Sequence, residues 1–362
     1  MSASRTSRAA VQVADEQFQM QELPLPASIG PDEGLVRIDR CGICGSDIDQ
    51  FRGGTLAPYP VIPGHEPVGT IEAVGERAAE RWGVEPGDRV IVEAAVPCRD
   101  CRYCAAGQFP NCPDRYVIGS TPTTVEPSLW GGYAEHLYLH PNSSVHKLSK
   151  DVPLDVAAVY NALACGISWA DEMPNTQPGD TVLVMGPGQR GLASVIAAKA
   201  AGASKVIVTG LSRDRHKLAV AAELGADHVV DVEEEDLTEL VRDLVPEGVD
   251  TVVDVAPNAT RAVVDAIDLV RERGTVVLAA LKGDRPVQLL TDRIVEKALT
   301  VRGAWSKGSA TYRKALDLIE SGRFPLEQLH THTFPISEAA LAIRTLAGEV
   351  PGEEAICISL AP

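Results

Sequence analysis

Four of the eight cysteines, Cys98, Cys101, Cys104 and Cys112, share one short stretch with the spacing C-x2-C-x2-C-x7-C. Four thiolates on one loop suit a tetrahedral zinc ion, and structural zinc sites close with four protein ligands. Such a metal holds a loop together and does no chemistry. Iron–sulfur clusters also use four cysteines, but the rest of the chain offers no redox-cluster context, so zinc is expected. Disulfides are the alternative, and a chain with no export signal disfavours them.

Two further segments carry metal-ligand chemistry: Cys41-Gly-Ile-Cys44-Gly-Ser46-Asp47 and Gly64-His65-Glu66. A thiolate and an imidazole are suitable ligands for a catalytic zinc, which keeps one position open for water or substrate. His136, His140 and His146 stand in no ligand-like context and read as surface or packing residues.

The third chemical signal is Gly186-Pro-Gly188-Gln189-Arg190-Gly191, a G-x-G-x-x-G match. Its weight comes from context, because it follows the apolar run Thr181 to Met185 and opens an alanine-rich helical segment from Leu192 to Ala201. Gly186 permits the tight turn, Gly188 lets backbone approach a pyrophosphate, Gly191 lets helix and strand pack, and the helix N-terminus faces the anion. About twenty residues on, an NAD site presents an acid to the ribose. Here the second strand ends Thr209-Gly210-Leu211-Ser212-Arg213, with Arg215 close behind. Loss of the carboxylate and gain of arginines favours NADP over NAD. If both arginines are solvated and Asp214 reaches the ribose, the cofactor is NAD.

These residues need a scaffold, and its rhythm changes along the chain. Up to about Asp155, short apolar runs such as Gly34 to Asp39 and Asp88 to Glu93 alternate with Pro and Gly turns, which suggests a mostly β, barrel-like domain. From Asp180, strands at Thr181 to Met185, Lys205 to Thr209, His228 to Val232, Asp250 to Val255 and Gly274 to Ala280 alternate with helical segments. That order predicts an α/β domain, a doubly wound parallel sheet covered on both faces. A helix near Ala310 to Ser321 and a strand at Glu354 to Leu360 are expected to close the chain.

Composition excludes several functions. At 362 residues two domains are expected, and 45% hydrophobic with 23% charged residues is ordinary for a globular protein. A formal charge of −17 repels nucleic-acid phosphates and anionic membranes. No apolar run is long enough to span a bilayer. Met1 to Ala10 carries three arginines with no apolar segment behind it, so a short disordered extension is expected, with a transit peptide as the alternative. A cytoplasmic protein follows from that reading.

From about Val11 to its end the chain resembles the zinc-dependent medium-chain dehydrogenases, the family of alcohol, sorbitol and threonine dehydrogenases. Four motifs in the family's order carry the resemblance: Cys-Gly-Ile-Cys-Gly-Ser-Asp, Gly-His-Glu, the cysteine quartet and Gly-Pro-Gly-Gln-Arg-Gly. It implies a GroES-like catalytic domain at 1–157, a Rossmann domain at 158–305 and a returning catalytic segment at 306–362. Cys44 and His65 would ligate the catalytic zinc, with Glu66 a nearby or alternating ligand. Ser46 would accept the substrate's hydroxyl proton, and Asp47 would orient His65. Asp49 would pass that proton to solvent or stand as a solvated loop carboxylate. Cys41 would be a buried structural thiol.

The third zinc ligand is where the chain departs from the family. The segment that often reads Glu-Pro-Leu-Ala-Cys is here Asn161-Ala-Leu-Ala-Cys165. Register points to Asn161, a poor zinc ligand; Cys165 is chemically better and falls on the same helical face; Glu66 is the third candidate. The activity implied is hydride transfer between a secondary alcohol or polyol and NAD(P), giving the aldehyde or ketone. Asn161 motivates an alternative, a catalytically silent nucleotide-binding protein with structural zinc only. A zinc-free quinone reductase fits less well, since that branch lacks both zinc signatures. Ala94, four residues before the first cysteine of the quartet and near where relatives often carry an aromatic residue, implies a roomier pocket. A homodimer or homotetramer would form through the sheet edge near Leu299 to Trp305.

Overall fold

The computed structural model describes residues 5–54 and 58–362. The chain divides into two compact units, one running to Tyr160 and resuming at Gly308–Pro362, the other Asn161–Lys307.

The first unit is built on a seven-stranded, mostly antiparallel sheet. Its order is His330–Pro335, Cys357–Ala361, Gly34–Gly42, Glu66–Val74, Arg89–Val92 and Val145–Lys147, with His136–Leu139 joining Gly34–Gly42. The strand Gly34–Gly42 organises the sheet. One edge pairs along Glu66–Val74, while the other is shared between His136–Leu139 and Cys357–Ala361. Val36, Ile38, Ile71, Val90, Leu137, Leu139, Ile358 and Leu360 are all buried in one core. The barrel-like, GroES-type reading of this region holds.

The N-terminus differs from expectation where it is described. Thr6–Ala14 is a strand in a hairpin with Gln17–Pro24, and Ser7, Ala9 and Ala10 are fully buried. Small residues fill the inward positions, while Arg8 points out and pairs with Glu135 at 2.6 Å. Burial alternates only over Thr6–Ala9, and Ala10, Val11 and Gln12 follow buried in succession, so the strand carries little period-2 signal. The part of the expected extension at Met1–Ser4 lies outside the described residues.

The second unit is a six-stranded parallel sheet ordered His228–Asp231, Lys205–Gly210, Thr181–Met185, Val249–Asp254, Val270–Leu278 and Thr300–Gly303. Helices Gln189–Ala201, Arg215–Glu223, Leu237–Leu244 and Thr260–Leu269 connect successive strands. Thr181–Met185 is buried along its whole length, as a central parallel strand must be. The order reverses between Thr181–Met185 and Val249–Asp254, and dinucleotides bind outside the strand ends at such a switch point. No helix among the described residues is long and apolar enough to cross a membrane.

Candidate active site and metal centres

Strand register builds the first cluster. Gly42 lies opposite Glu66 in the antiparallel pair, so Cys44, two residues past one strand end, meets His65, one residue before the other strand begins. The ligand atoms of Cys44, His65 and Glu66 lie within 4.8 Å of one another and could hold a metal ion. Glycines shape the floor. A Cβ on Gly42 would stand 2.5 Å from Glu66 Oε2, and Gly64 adopts φ +87° with Tyr133 packed where its side chain would be.

Asp47 organises this cluster from behind. It sits in the first turn of the helix Gly45–Phe51, is 2% exposed, and its Oδ2 accepts the backbone N–H of Cys44 at 2.7 Å. Its Oδ1 faces His65 Nδ1 at 3.5 Å, while His65 Nε2 lies 3.9 Å from Glu66 Oε1. Burial opposes a charge on His65, but the Asp47 carboxylate outweighs it and raises the imidazole pKa well above its ordinary value. Metal binding at Nε2 would expel that proton and leave Asp47 holding Nδ1–H, the arrangement that orients metal-bound histidines. Ser46 is half-buried on the same helix, and Asp49 is exposed on it, on a helix and not a loop.

The cysteine quartet forms a second cluster, and its four sulfurs also lie within 4.8 Å of one another. Cys101 and Cys104 sulfurs are 3.5 Å apart, Cys98 and Cys104 sulfurs 3.9 Å, and all four are free thiols. Backbone N–H groups of Asp100 and Cys101 draw the Cys98 pKa down to about 7. Burial pushes Cys104 up to about 12. Four sulfurs this close, one of them primed for ionisation, suit a tetrahedral dication. The short pair Ala95–Val96 and Tyr116–Val117 clamps the lobe's base.

In the second unit the glycine motif forms the turn expected of it. Gly186 has φ +109°, and a Cβ on Gly191 would stand 1.8 Å from Gly186 O. Gly188 is the N-cap of Gln189–Ala201 and has open space before it. No acid lies in the helix's first turn, which leaves its positive end available to a pyrophosphate. Arg190 stacks over Trp169 at 5.4 Å.

At the end of Lys205–Gly210 the structure adds residues that sequence reasoning missed. A Cβ on Gly210 would meet Pro187 Cγ at 2.9 Å, a physical reason why no acid stands there. Ser212 donates its hydroxyl to Asp231 at 2.6 Å and its backbone N–H to Glu233 at 2.9 Å. Arg215 pairs with Glu234, and Asp214 with Lys217 and Leu211 N. Arg213 is exposed. Opposite, Asp254 ends its strand fully buried and pairs with Lys282 Nζ at 2.7 Å. The same ammonium donates to Ala256 O at 2.7 Å, so one ion pair fixes two loops at the switch point.

Asn161 and Cys165 do fall on one helical face, in Tyr160–Ile167, and both are buried. Lys307 Nζ donates to Asn161 Oδ1 and to Cys165 Sγ at 3.1 Å. Lys307 stands 146 residues from Asn161, and no local sequence signal marks it. The remaining candidates pack. His136 pairs with Glu72, His146 with Glu93 at 2.7 Å, and His140 accepts Asn142 N–H. Cys41 is fully buried, and burial drives its thiol pKa well up.

Comparison with known proteins converges on one family. Residues 30–150 match the alcohol dehydrogenase GroES-like domain, and residues 191–321 match the zinc-binding dehydrogenase domain. The chain is 42% identical over 360 residues to a Mycobacterium tuberculosis protein named "Probable alcohol dehydrogenase adh", covering 97% of each. It is 32% identical to the erythritol/L-threitol dehydrogenase of Mycolicibacterium smegmatis, covering 95% of this chain and 94% of that one. The crystal structure of a protein from Sinorhizobium meliloti 1021, described as a zinc-binding dehydrogenase and bound to NADP, superposes with a TM-score of 0.86 at 25% identity, covering 99% and 100%. With both domains matched in order and relatives of this identity along nearly its whole length, the chain belongs to the zinc-dependent medium-chain dehydrogenase family and is an alcohol oxidoreductase.

Proposed function

We propose that the chain interconverts a secondary alcohol or polyol with its carbonyl compound, using Cys44 and His65 to hold a catalytic zinc and the Gly186–Gly191 turn to hold a nicotinamide dinucleotide. The observation that carries this reading is the convergence of Cys44, His65 and Glu66 with Asp47 behind His65. Held by Cys44 and His65, a zinc ion would supply Lewis acidity toward an alcohol oxygen, and a nicotinamide held at the Gly186–Gly191 turn would supply the hydride acceptor. Ser46 Oγ would accept the alcohol's proton as its own O–H proton passes on, with exposed Asp49, three residues on along the helix, as the carboxylate that takes it and gives it up to water. Asp47 keeps His65 in one orientation throughout. In the other unit, backbone N–H groups after Gly188 bind the pyrophosphate, and the Asp254–Lys282 pair fixes the loops beside it. The quartet Cys98, Cys101, Cys104 and Cys112 holds a structural zinc.

NADP is preferred on this reading. Pro187 denies Gly210 a ribose-binding carboxylate, and Arg213 meets the 2′-phosphate, since Arg215 is committed to Glu234. Asp231 and Glu233 oppose it, so the preference is modest. The name of the Mycolicibacterium relative supports a polyol substrate, and Ala94 leaves room for one. The edge strand Thr300–Gly303 is exposed along its length, with Val301 and Trp305 also exposed, and it pairs a second copy of the chain.

A panel of secondary alcohols and polyols run with NAD and with NADP tests the reading. Turnover of at least one class is expected, with Ala94→Phe excluding its bulkiest members. No hydride transfer to either cofactor across the panel would leave a nucleotide-binding protein without catalysis.

A further inference from the structure

We propose that Cys44 and Cys357 form an oxidation-sensitive pair, joined by peroxide into a cross-strand disulfide when Cys44 holds no metal. The pair is set by strand register inside one compact unit, and only its consequence for zinc rests on the proposed function.

In the antiparallel pair of Gly34–Gly42 with Cys357–Ala361, Leu360 lies opposite Cys41 and Ser359 opposite Gly42. The pairing continues past Gly42, because Ile43 donates its N–H to Ile358 O at 2.8 Å and Cys44 is still extended, with φ −94° and ψ 159°. One step further sets Cys44 opposite Cys357. That step follows a hydrogen-bonded pair, so it is a non-hydrogen-bonded position, where opposed Cα atoms approach to about 4.5 Å and both side chains leave on one face. Disulfides need Cα atoms about 4.4–6.8 Å apart. Cys44 is fully buried, Cys357 is 5% exposed, and neither is in a disulfide.

The other cysteines of this unit are placed differently. Cys41, three residues back along the extended chain, leaves on the opposite face. Its sulfur packs against Gly64 and Gly132, where added Cβ atoms would stand 2.8 and 2.4 Å from it. The quartet forms a cluster of its own. Burial, with Glu66 and Cys44 beside it, pushes the Cys357 thiol pKa up and keeps that sulfur protonated. Cys44, the thiolate a metal would bind, is therefore the first to react. The His65 side chain, 21% exposed, marks where a small oxidant enters.

The Cys44 thiolate attacks one oxygen of hydrogen peroxide. The O–O bond breaks, hydroxide leaves, and the sulfur is oxidised to a sulfenic acid. Cys357 sulfur then attacks Cys44 sulfur, so that the S–S bond forms, the S–O bond breaks, and the Cys357 proton leaves with the second oxygen as water. Two thiols are oxidised and one peroxide is reduced. A metal on Cys44 blocks the first step. Where the metal is lost, the disulfide spares Cys44 the irreversible sulfinic acid, and a thiol reductant returns both sulfurs.

Peptide mapping of the whole chain tests this without measuring turnover. The protein, with and without prior chelation, is treated with hydrogen peroxide, alkylated and digested unreduced. After chelation, Cys44 should be recovered mainly linked to Cys357, about tenfold more than in the unchelated chain, and dithiothreitol should restore both thiols and zinc uptake. Cys357→Ala should leave Cys44 as the sulfinic acid, with zinc uptake no longer restored. Recovery of Cys44 linked to Cys41 or to the quartet, or oxidised while Cys357 stays a thiol, would overturn the pair. Equal linkage with and without chelation, in a chain that holds one zinc, would uphold the pair and defeat the catalytic-zinc reading instead.

Discussion

The two metal-type clusters are made in different ways. Cys98, Cys101, Cys104 and Cys112 come from one lobe of fifteen residues whose backbone turns supply all four donors. Cys44, His65 and Glu66 come from two strand ends that meet only because Gly42 pairs with Glu66. The first is a closed shell that local sequence can build. The second is a site assembled by the sheet and backed by Asp47. A closed shell should govern stability, and an assembled one should govern chemistry.

The largest effects should separate the clusters. Cys104→Ser is expected to release the lobe's metal and lower the unfolding midpoint by on the order of 10 °C in a thermal melt. His65→Ala should instead cut kcat/KM roughly 10³-fold in steady-state assays while stability changes by under about 1 kcal/mol. If the two variants behave alike, the division between structural and catalytic clusters fails. Asp47→Asn sharpens it further, because it touches no substrate yet should weaken metal retention or activity about 10- to 100-fold. The smallest effect lies in the other unit. Arg213→Ala should raise KM for NADP about tenfold, the weight of one charge-assisted hydrogen bond, and leave KM for NAD unchanged.

The same contrast explains what could be read in advance. The quartet and the glycine turn are local, so spacing reveals them. The parallel sheet is legible because Thr181–Met185 and its neighbours are short apolar runs between helical segments, and central strands must be apolar on both faces. Cys44 and His65 were found by motif, and the register that joins them only appears once Gly34–Gly42 and Glu66–Val74 are paired. Thr6–Ala10 belongs to a strand and not to the expected extension because Ser7, Ala9 and Ala10 fill a core without looking hydrophobic. Lys307, Lys282 and the carboxylates around Ser212 were missed for one reason. Each meets partners 19 to 146 residues away through one or two polar contacts, which leave no periodic trace.

On the proposed function an assembled, catalytic zinc site stands beside a closed structural one. Stepwise chelation, with zinc, alcohol oxidation and thermal stability followed together, tests it most directly. Activity should disappear with loss of the first of about two zinc ions while the fold persists, and the fold should weaken only with the second. Full activity in a chain holding one zinc would contradict it.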